Sequence, residues 1–177
     1  MIDLEKIRLR AFEAEDVDAL YQFRNRQGIV GCLGGFSKGY SRTSLAEWIE
    51  RHRSCADEVL WAIALKDSDR CIGHVGLYKL DHRVRKGEFG IVIEESQWGK
   101  GFGRRATSAA LEFGFDQLNL NKIDLEVLAT NLRAIALYER IGFRKDGLLR
   151  EEQFRDGHYV DLVIMSILRR EMQADAK

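Results

Sequence analysis

Hydrophobic and polar positions along the chain follow two periods, and the changes between them mark its elements. Residues 7–10 (Ile-Arg-Leu-Arg) alternate every second position, as a strand with one buried face does. Residues 15–23 switch to helical spacing, with Glu15, Asp16 and Asp18 in a first turn where the helix dipole favours acids. Residues 29–40 are glycine-rich and predict a loop. Ser44-Leu45-Ala46-Glu47 then reads as a capping box for a helix to about Cys55. Strand patterns return at residues 59–65 and 71–78, on either side of the turn Asp67-Ser68-Asp69-Arg70, and again at residues 88–93. A glycine-rich turn leads into a helix to about Leu118, whose Ala106, Ala109, Ala110 and Gly114 allow close packing on a sheet. Residues 122–128 alternate with Ile123, Leu125 and Val127 on one face. Residues 131–141 are helical, with Ala134, Leu137, Tyr138 and Ile141 sharing a face and Gly142 as the stop. A last hairpin, residues 143–154 and 158–168, turns on Asp156-Gly157. The order βααβββαβαββ predicts an α+β fold built on one mixed sheet.

Composition narrows the class. A chain of 177 residues, 45% hydrophobic and 32% charged, with no proline, repeat or linker-like stretch, reads as one globular domain. No apolar run reaches the roughly 20 residues that span a bilayer, and the N-terminus lacks a signal-peptide pattern. The 28 basic and 28 acidic side chains cancel, so no global field favours nucleic acid or a membrane surface. Cys32, Cys55 and Cys71 have no metal-ligand spacing and read as reduced thiols of a cytoplasmic protein. His52, His82 and His158 are scattered, and no metal site is expected.

The chemistry concentrates at Trp98-Gly99-Lys100-Gly101-Phe102-Gly103-Arg104-Arg105, between a strand and a helix. A strand-to-helix turn leaves backbone N–H groups pointing outward at a helix N-terminus, which suits an anion, and glycines clear side chains from that surface. Arg104 and Arg105 open a helix against its dipole, a misfit that a phosphate would relieve. A phosphorylated cofactor is expected here.

That turn, the strand before it, and Asn131-Leu132-Arg133-Ala134-Ile135-Ala136-Leu137-Tyr138-Glu139-Arg140-Ile141-Gly142-Phe143 about 30 residues on resemble the GCN5-related N-acetyltransferase (GNAT) superfamily. Within it the chain is similar to the branch of ribosomal-protein alanine, spermidine and nucleotide-amino-sugar acetyltransferases. The resemblance spans nearly the whole chain. It implies a single domain over residues 1–177, a mostly antiparallel sheet flanked by helices, and splayed parallel strands at the acetyl-CoA site. Acceptor-side helices would occupy about 14–56, the acetyl-CoA core about 87–143 and the C-terminal hairpin about 143–168. Acetyl-CoA is implied as co-substrate. Ile91, Val92 and Ile93 would accompany the pantetheine arm as an added strand. Trp98, Gly99, Lys100, Gly101, Phe102, Gly103 and Arg104 would surround the pyrophosphate, and Asn131 and Ala134 would meet the pantetheine from the next junction. Trp98 stands where the family usually has Gln or Arg, so it is given no hydrogen-bonding role. Tyr138 occupies the place of the general acid.

Acetyl transfer to an amine needs a route for the amine's proton, a donor for the oxyanion and a proton near the departing thiolate. Tyrosine, near pKa 10, suits a thiol near 8.5. Glu88 is the first candidate base; Asp124, Glu126 and His74 are weaker ones. No cysteine carries the neighbours of a covalent acetyl-enzyme, so direct attack is expected. The basic residues Arg24, Arg26, Lys38, Arg42, Arg51 and Arg53 favour a nucleotide-linked amino sugar as acceptor, with a protein N-terminus or a polyamine as alternatives. A non-catalytic acyl-CoA-binding module is the alternative of another class. A dinucleotide-binding domain fits less well, because the spacing is G-x-G-x-G and antiparallel strands precede it. The edge of the last hairpin could pair subunits into a homodimer.

Overall fold

A computed structural model of the chain describes residues 1–32 and 39–172. Its elements run β1 (Ile2–Asp3), β2 (Ile7–Arg10), α1 (Asp16–Arg24), α2 (Gln27–Val30), α3 (Arg42–Arg53), β3 (Val59–Leu65), β4 (Cys71–Asp81) and β5 (Lys86–Ile93). They continue with α4 (Phe102–Asp116), β6 (Lys122–Leu128), α5 (Leu132–Ile141), β7 (Arg144–Arg155), β8 (His158–Leu168) and α6 (Arg169–Met172). One eight-stranded sheet takes them in the order β1-β2-β3-β4-β5-β6-β8-β7. Every neighbouring pair is antiparallel except β5 and β6. The expected mixed sheet is present, and β7 forms its outer edge.

Alternation along the central strands sends residues to two separate cores. Trp61, Ile63, Val75, Leu77 and Phe89 pack with Ala106, Ala110, Leu111 and Phe115 of α4 on one face. Ala62, Cys71 and Val92 pack on the other face with Leu20 and Phe23 of α1 and Leu45 and Ile49 of α3. No helix of the described residues is long and apolar enough to cross a membrane.

Several boundaries depart from the sequence reading. β1, α2 and α6 are short additions, and α2 takes Ile29 and Val30 out of the expected loop, of which residues 33–38 lie outside the described residues. The capping box sits earlier than expected. Ser41 is the N-cap: its hydroxyl accepts from Ser44 N–H, and Ser44 Oγ accepts from Ser41 N–H, both at 3.0 Å. Glu47 lies beyond that first turn. The two-serine version lacks the acid that usually signals the motif.

Candidate active site

β5 and β6 pair only at Lys86–Lys122, Gly87–Ile123 and Glu88–Asp124, and then part. β4 stays paired with β5 as far as Ile93. Glu94 N–H donates to Ile72 O of β4 (2.7 Å), whereas Arg85 O accepts from Asn121 and Lys122 on the β6 side. With a period of two, the backbone groups of Gly90 and Val92 therefore face β4, and those of Phe89, Ile91 and Ile93 face the gap. Of the three residues expected to line this edge, Val92 does not: its side chain belongs to the core under α1 and α3.

The glycine turn lies at the open end of the gap. Gly99 and Gly101 both have φ of +79°, a left-handed conformation that a side chain would strain, and an added Cβ at either would meet nothing within 4 Å. The open side of the turn is therefore clear. Gly103 differs: it has no left-handed φ, and an added Cβ there would make ordinary contact with the Leu137 and Ile93 side chains at 3.4 and 3.6 Å. Arg105 N–H donates to Gly101 O (3.2 Å) as the first bond of α4, which leaves the N–H groups of Phe102, Gly103 and Arg104 in a first turn without helical partners. The Phe102 side chain itself is core. Trp98 does make a hydrogen bond: its indole N–H donates to Ile93 O (2.8 Å), tying the turn to the strand, while Arg133 stacks 4.4 Å above the ring. Lys100 Nζ donates to Gln97. Arg105, expected to favour phosphate, instead pairs with Glu5 at 2.5 Å.

Tyr138 sits at the apex, where the strands part. Its ring packs edge-on to Phe89 (6.1 Å between centroids) and against Phe143 (5.6 Å), and only 8% of it is exposed. Burial pushes its phenol up to about 12. That departs from the value near 10 assumed from the sequence, so the neutral hydroxyl is held more firmly. Asn131 caps α5, its Oδ1 accepting Ala134 N–H at 3.2 Å; both groups expected to meet a pantetheine already meet each other.

The candidate bases are mostly engaged. Glu88 is half-buried and accepts from Lys79 Nζ (2.7 Å), and Asp124 pairs with Lys86 (2.5 Å). Glu126 is exposed. His74 is buried, and burial holds its imidazole well below the ordinary histidine range, with neighbouring Arg24 and His52 acting the same way.

The face under α1 and α3 brings together Tyr78, Arg24 and His52; the sequence reading named Arg24 only as one of several basic residues and His52 only as a scattered histidine. Tyr78 lies across Gly76 and Gly90, which are register partners on β4 and β5; an added Cβ would come within 2.7 Å of its ring at Gly76 and 3.1 Å at Gly90. Burial raises the Tyr78 phenol, and Arg24 opposes that rise. Arg24 is buried in the last turn of α1, its guanidinium 4.6 Å from the Tyr40 ring and 4.7 Å from the Trp48 ring. His52 Nδ1 meets the Glu58 carboxylate, and the His52 ring lies against Trp48 and Tyr78. Paired glycines beside an aromatic two residues on are the local signal for Tyr78. The burial of Arg24 has no such local signal, because its surroundings assemble from separate parts of the chain.

Comparison with known proteins agrees with this geometry. A family model described as the acetyltransferase (GNAT) domain matches residues 6–144. The spermidine N(1)-acetyltransferase of Vibrio cholerae is 34% identical over 166 residues, covering 93% of this chain and 94% of that protein. The Escherichia coli enzyme of the same name is 30% identical over 178 residues, covering 100% and 94%. Among solved structures, the Vibrio cholerae spermidine N-acetyltransferase in complex with CoA and spermine superposes with a TM-score of 0.87 at 32% identity, covering 95% of this chain and 98% of the other.

Proposed function

Because the chain belongs to the acetyltransferase (GNAT) family, we propose that it transfers the acetyl group of acetyl-CoA directly to a primary amine of a small molecule. The observation that carries the reading is the gap between β5 and β6, with an open glycine turn at its mouth and Tyr138 at its apex. The gap edge offers Ile91 backbone groups to the pantetheine amides, and the first-turn N–H groups of α4 offer donors to the pyrophosphate. The likeness to spermidine acetyltransferases supports the polyamine alternative better than the nucleotide-linked amino sugar favoured by the sequence alone.

In this scheme the neutral amine attacks the thioester carbonyl, and its proton leaves through water or Glu88. A backbone N–H on the open edge of β5 takes the oxyanion. The carbon–sulfur bond then breaks, and the sulfur departs toward Tyr138. With its phenol at about 12, Tyr138 is a weaker acid than a thiol near 8.5, so its main service is a hydrogen bond that strengthens as charge develops on sulfur.

Thiol release from acetyl-CoA, measured with a panel of amines, tests both parts. Tyr138→Phe should lower kcat by about 10²-fold or more, the usual range for losing such a group, with the KM for acetyl-CoA changed less than about twofold. An unchanged kcat would remove Tyr138 from the chemistry. Failure to bind CoA would end the whole reading.

A further inference from the structure

Arg24 is a buried charge that the acetyl-transfer scheme does not use. It is 8% exposed, yet its Nε and Nη1 have no hydrogen-bond partner. The Tyr40 and Trp48 rings lie 4.6 and 4.7 Å from its guanidinium carbon, which suits a planar, weakly hydrated cation but leaves Nε and Nη1 unused. Burial acts against its charged form, and among the described residues the groups that favour that form are not carboxylates but the phenols of Tyr40 and Tyr78, Tyr40 also through a hydrogen bond. Glu58, the acid on this side of Tyr78, is engaged by His52, and Glu88 by Lys79. His74, beside Trp48 at 5.1 Å, adds a second buried side chain with both ring nitrogens unpartnered. The chain carries no Asp or Glu from Ala19 to Ala46, a stretch that includes Arg24, Arg26, Lys38 and Arg42.

The position of this charge matters as much as its isolation. Arg24 is near enough to Tyr78 to oppose the rise of its phenol, and Tyr78 lies on Gly90 of β5, one residue from Ile91 at the gap edge. A group seated on the guanidinium would hold the rest of a small molecule over that edge. This departs from the polyamine that the relatives' names suggest: a polyamine has nothing to offer a buried cation, whereas a carboxylate or phosphate would take the Nε and Nη1 donors in the fork geometry that arginine favours.

Resting on the acetyltransferase reading, we infer that the acceptor amine also carries an anionic group, a carboxylate or a phosphate monoester, which seats on Arg24 between Tyr40 and Trp48. Arg24 is then a specificity-determining residue for the acceptor and takes no part in bond making.

Matched acceptors test this: 4-aminobutanoate against 1,4-diaminobutane for the carboxylate, and O-phosphoethanolamine against ethanolamine for the phosphate. The anionic member of at least one pair should have kcat/KM about tenfold or more above its partner. Arg24→Gln should remove about 10- to 100-fold of that value, the worth of charge-assisted hydrogen bonds, and leave CoA affinity unchanged as the control for folding. Arg24→Lys should retain part of the preference. Titration of the CoA complex with the same four amines, read by tryptophan fluorescence because Trp48 flanks the site, decides the matter even if none turns over. Only the anionic probes should perturb the signal, and Arg24→Gln should abolish it. A preference for the diamine, or an anionic preference that survives Arg24→Gln, overturns the inference while leaving acetyl transfer intact. Loss of CoA binding in the unaltered protein would instead overturn the reading beneath it.

Discussion

His74 is held between Ala62 of β3 and Val92 of β5, its register partners, with Trp48 against its ring and no partner for either nitrogen. Burial is the largest influence on it, and neighbouring Arg24 and His52 act in the same direction. The folded imidazole therefore stays neutral well below the ordinary pKa of about 6.5, while the unfolded chain takes up a proton there. Stability contributed by neutral His74 is full above about pH 6.5 and falls as pH drops below it, by up to about 1.4 kcal/mol per pH unit. Denaturant melts at pH 7 and pH 5 should show the unaltered protein losing more stability than His74→Leu does. Parallel losses would mean that His74 does not titrate between these states. The same residue shows why a candidate base cannot be chosen from strand alternation alone. Its alternation with Ile72 and Tyr78 along β4 was legible in the sequence, but the α3 tryptophan against its ring was not.

At the scale of elements, α1 is fixed to the sheet by one buried ion pair. Arg10 of β2 donates through Nη1 and Nη2 to both oxygens of Asp16 (2.7 and 3.0 Å), and its remaining donors reach Ala11 O, Asp69 Oδ1 and Asp69 O. Asp16 also accepts Glu13 N–H at 2.9 Å. Removing one partner strands a buried charge, whereas removing both leaves a site that apolar groups can fill. Asp16→Ala should cost about 3–5 kcal/mol by denaturant unfolding, and the double variant Arg10→Met with Asp16→Leu should recover much of it. If the double variant were the less stable, the pair would be a net source of stability. From sequence, Asp16 reads as a helix-dipole acid, because its partner lies on a strand and the turn at Asp69 closes the network from 53 residues away. The glycine turn was legible because its signal is local, spacing within one turn; the burial of Tyr138 was legible from one face of a single helix, and its proposed role came from the family resemblance. The Arg24 pocket needed α1, α3 and β4 together, and the cap of α3 moved because Ser44 does the work usually given to an acid.

For the whole molecule, the parting of β5 and β6 makes the sheet weakest where a ligand would complete it. Both cores meet at β4 and β5, so the α4 side and the α1–α3 side share the strands that border the gap. CoA bound there would act as a missing strand and shift the folding equilibrium by mass action, by about 2.7 kcal/mol at a hundredfold excess over its Kd. In a chain of 177 residues that is a rise in Tm of roughly 5–10 °C. Gly101→Ala separates the ligand effect from the fold. Its Cβ would touch nothing, so the cost to the ligand-free protein is the strain of a left-handed alanine, about 1–2 kcal/mol. Relaxing that strain would swing the neighbouring N–H groups away from the pyrophosphate. The variant should therefore lose a few degrees without CoA and most of the CoA-induced rise, whereas Tyr138→Phe should keep the rise and lose turnover. A Gly101→Ala protein stabilised by CoA as strongly as the unaltered one would mean that the turn does not hold the diphosphate, and the anchor for the reactive thioester would have to lie elsewhere along the gap.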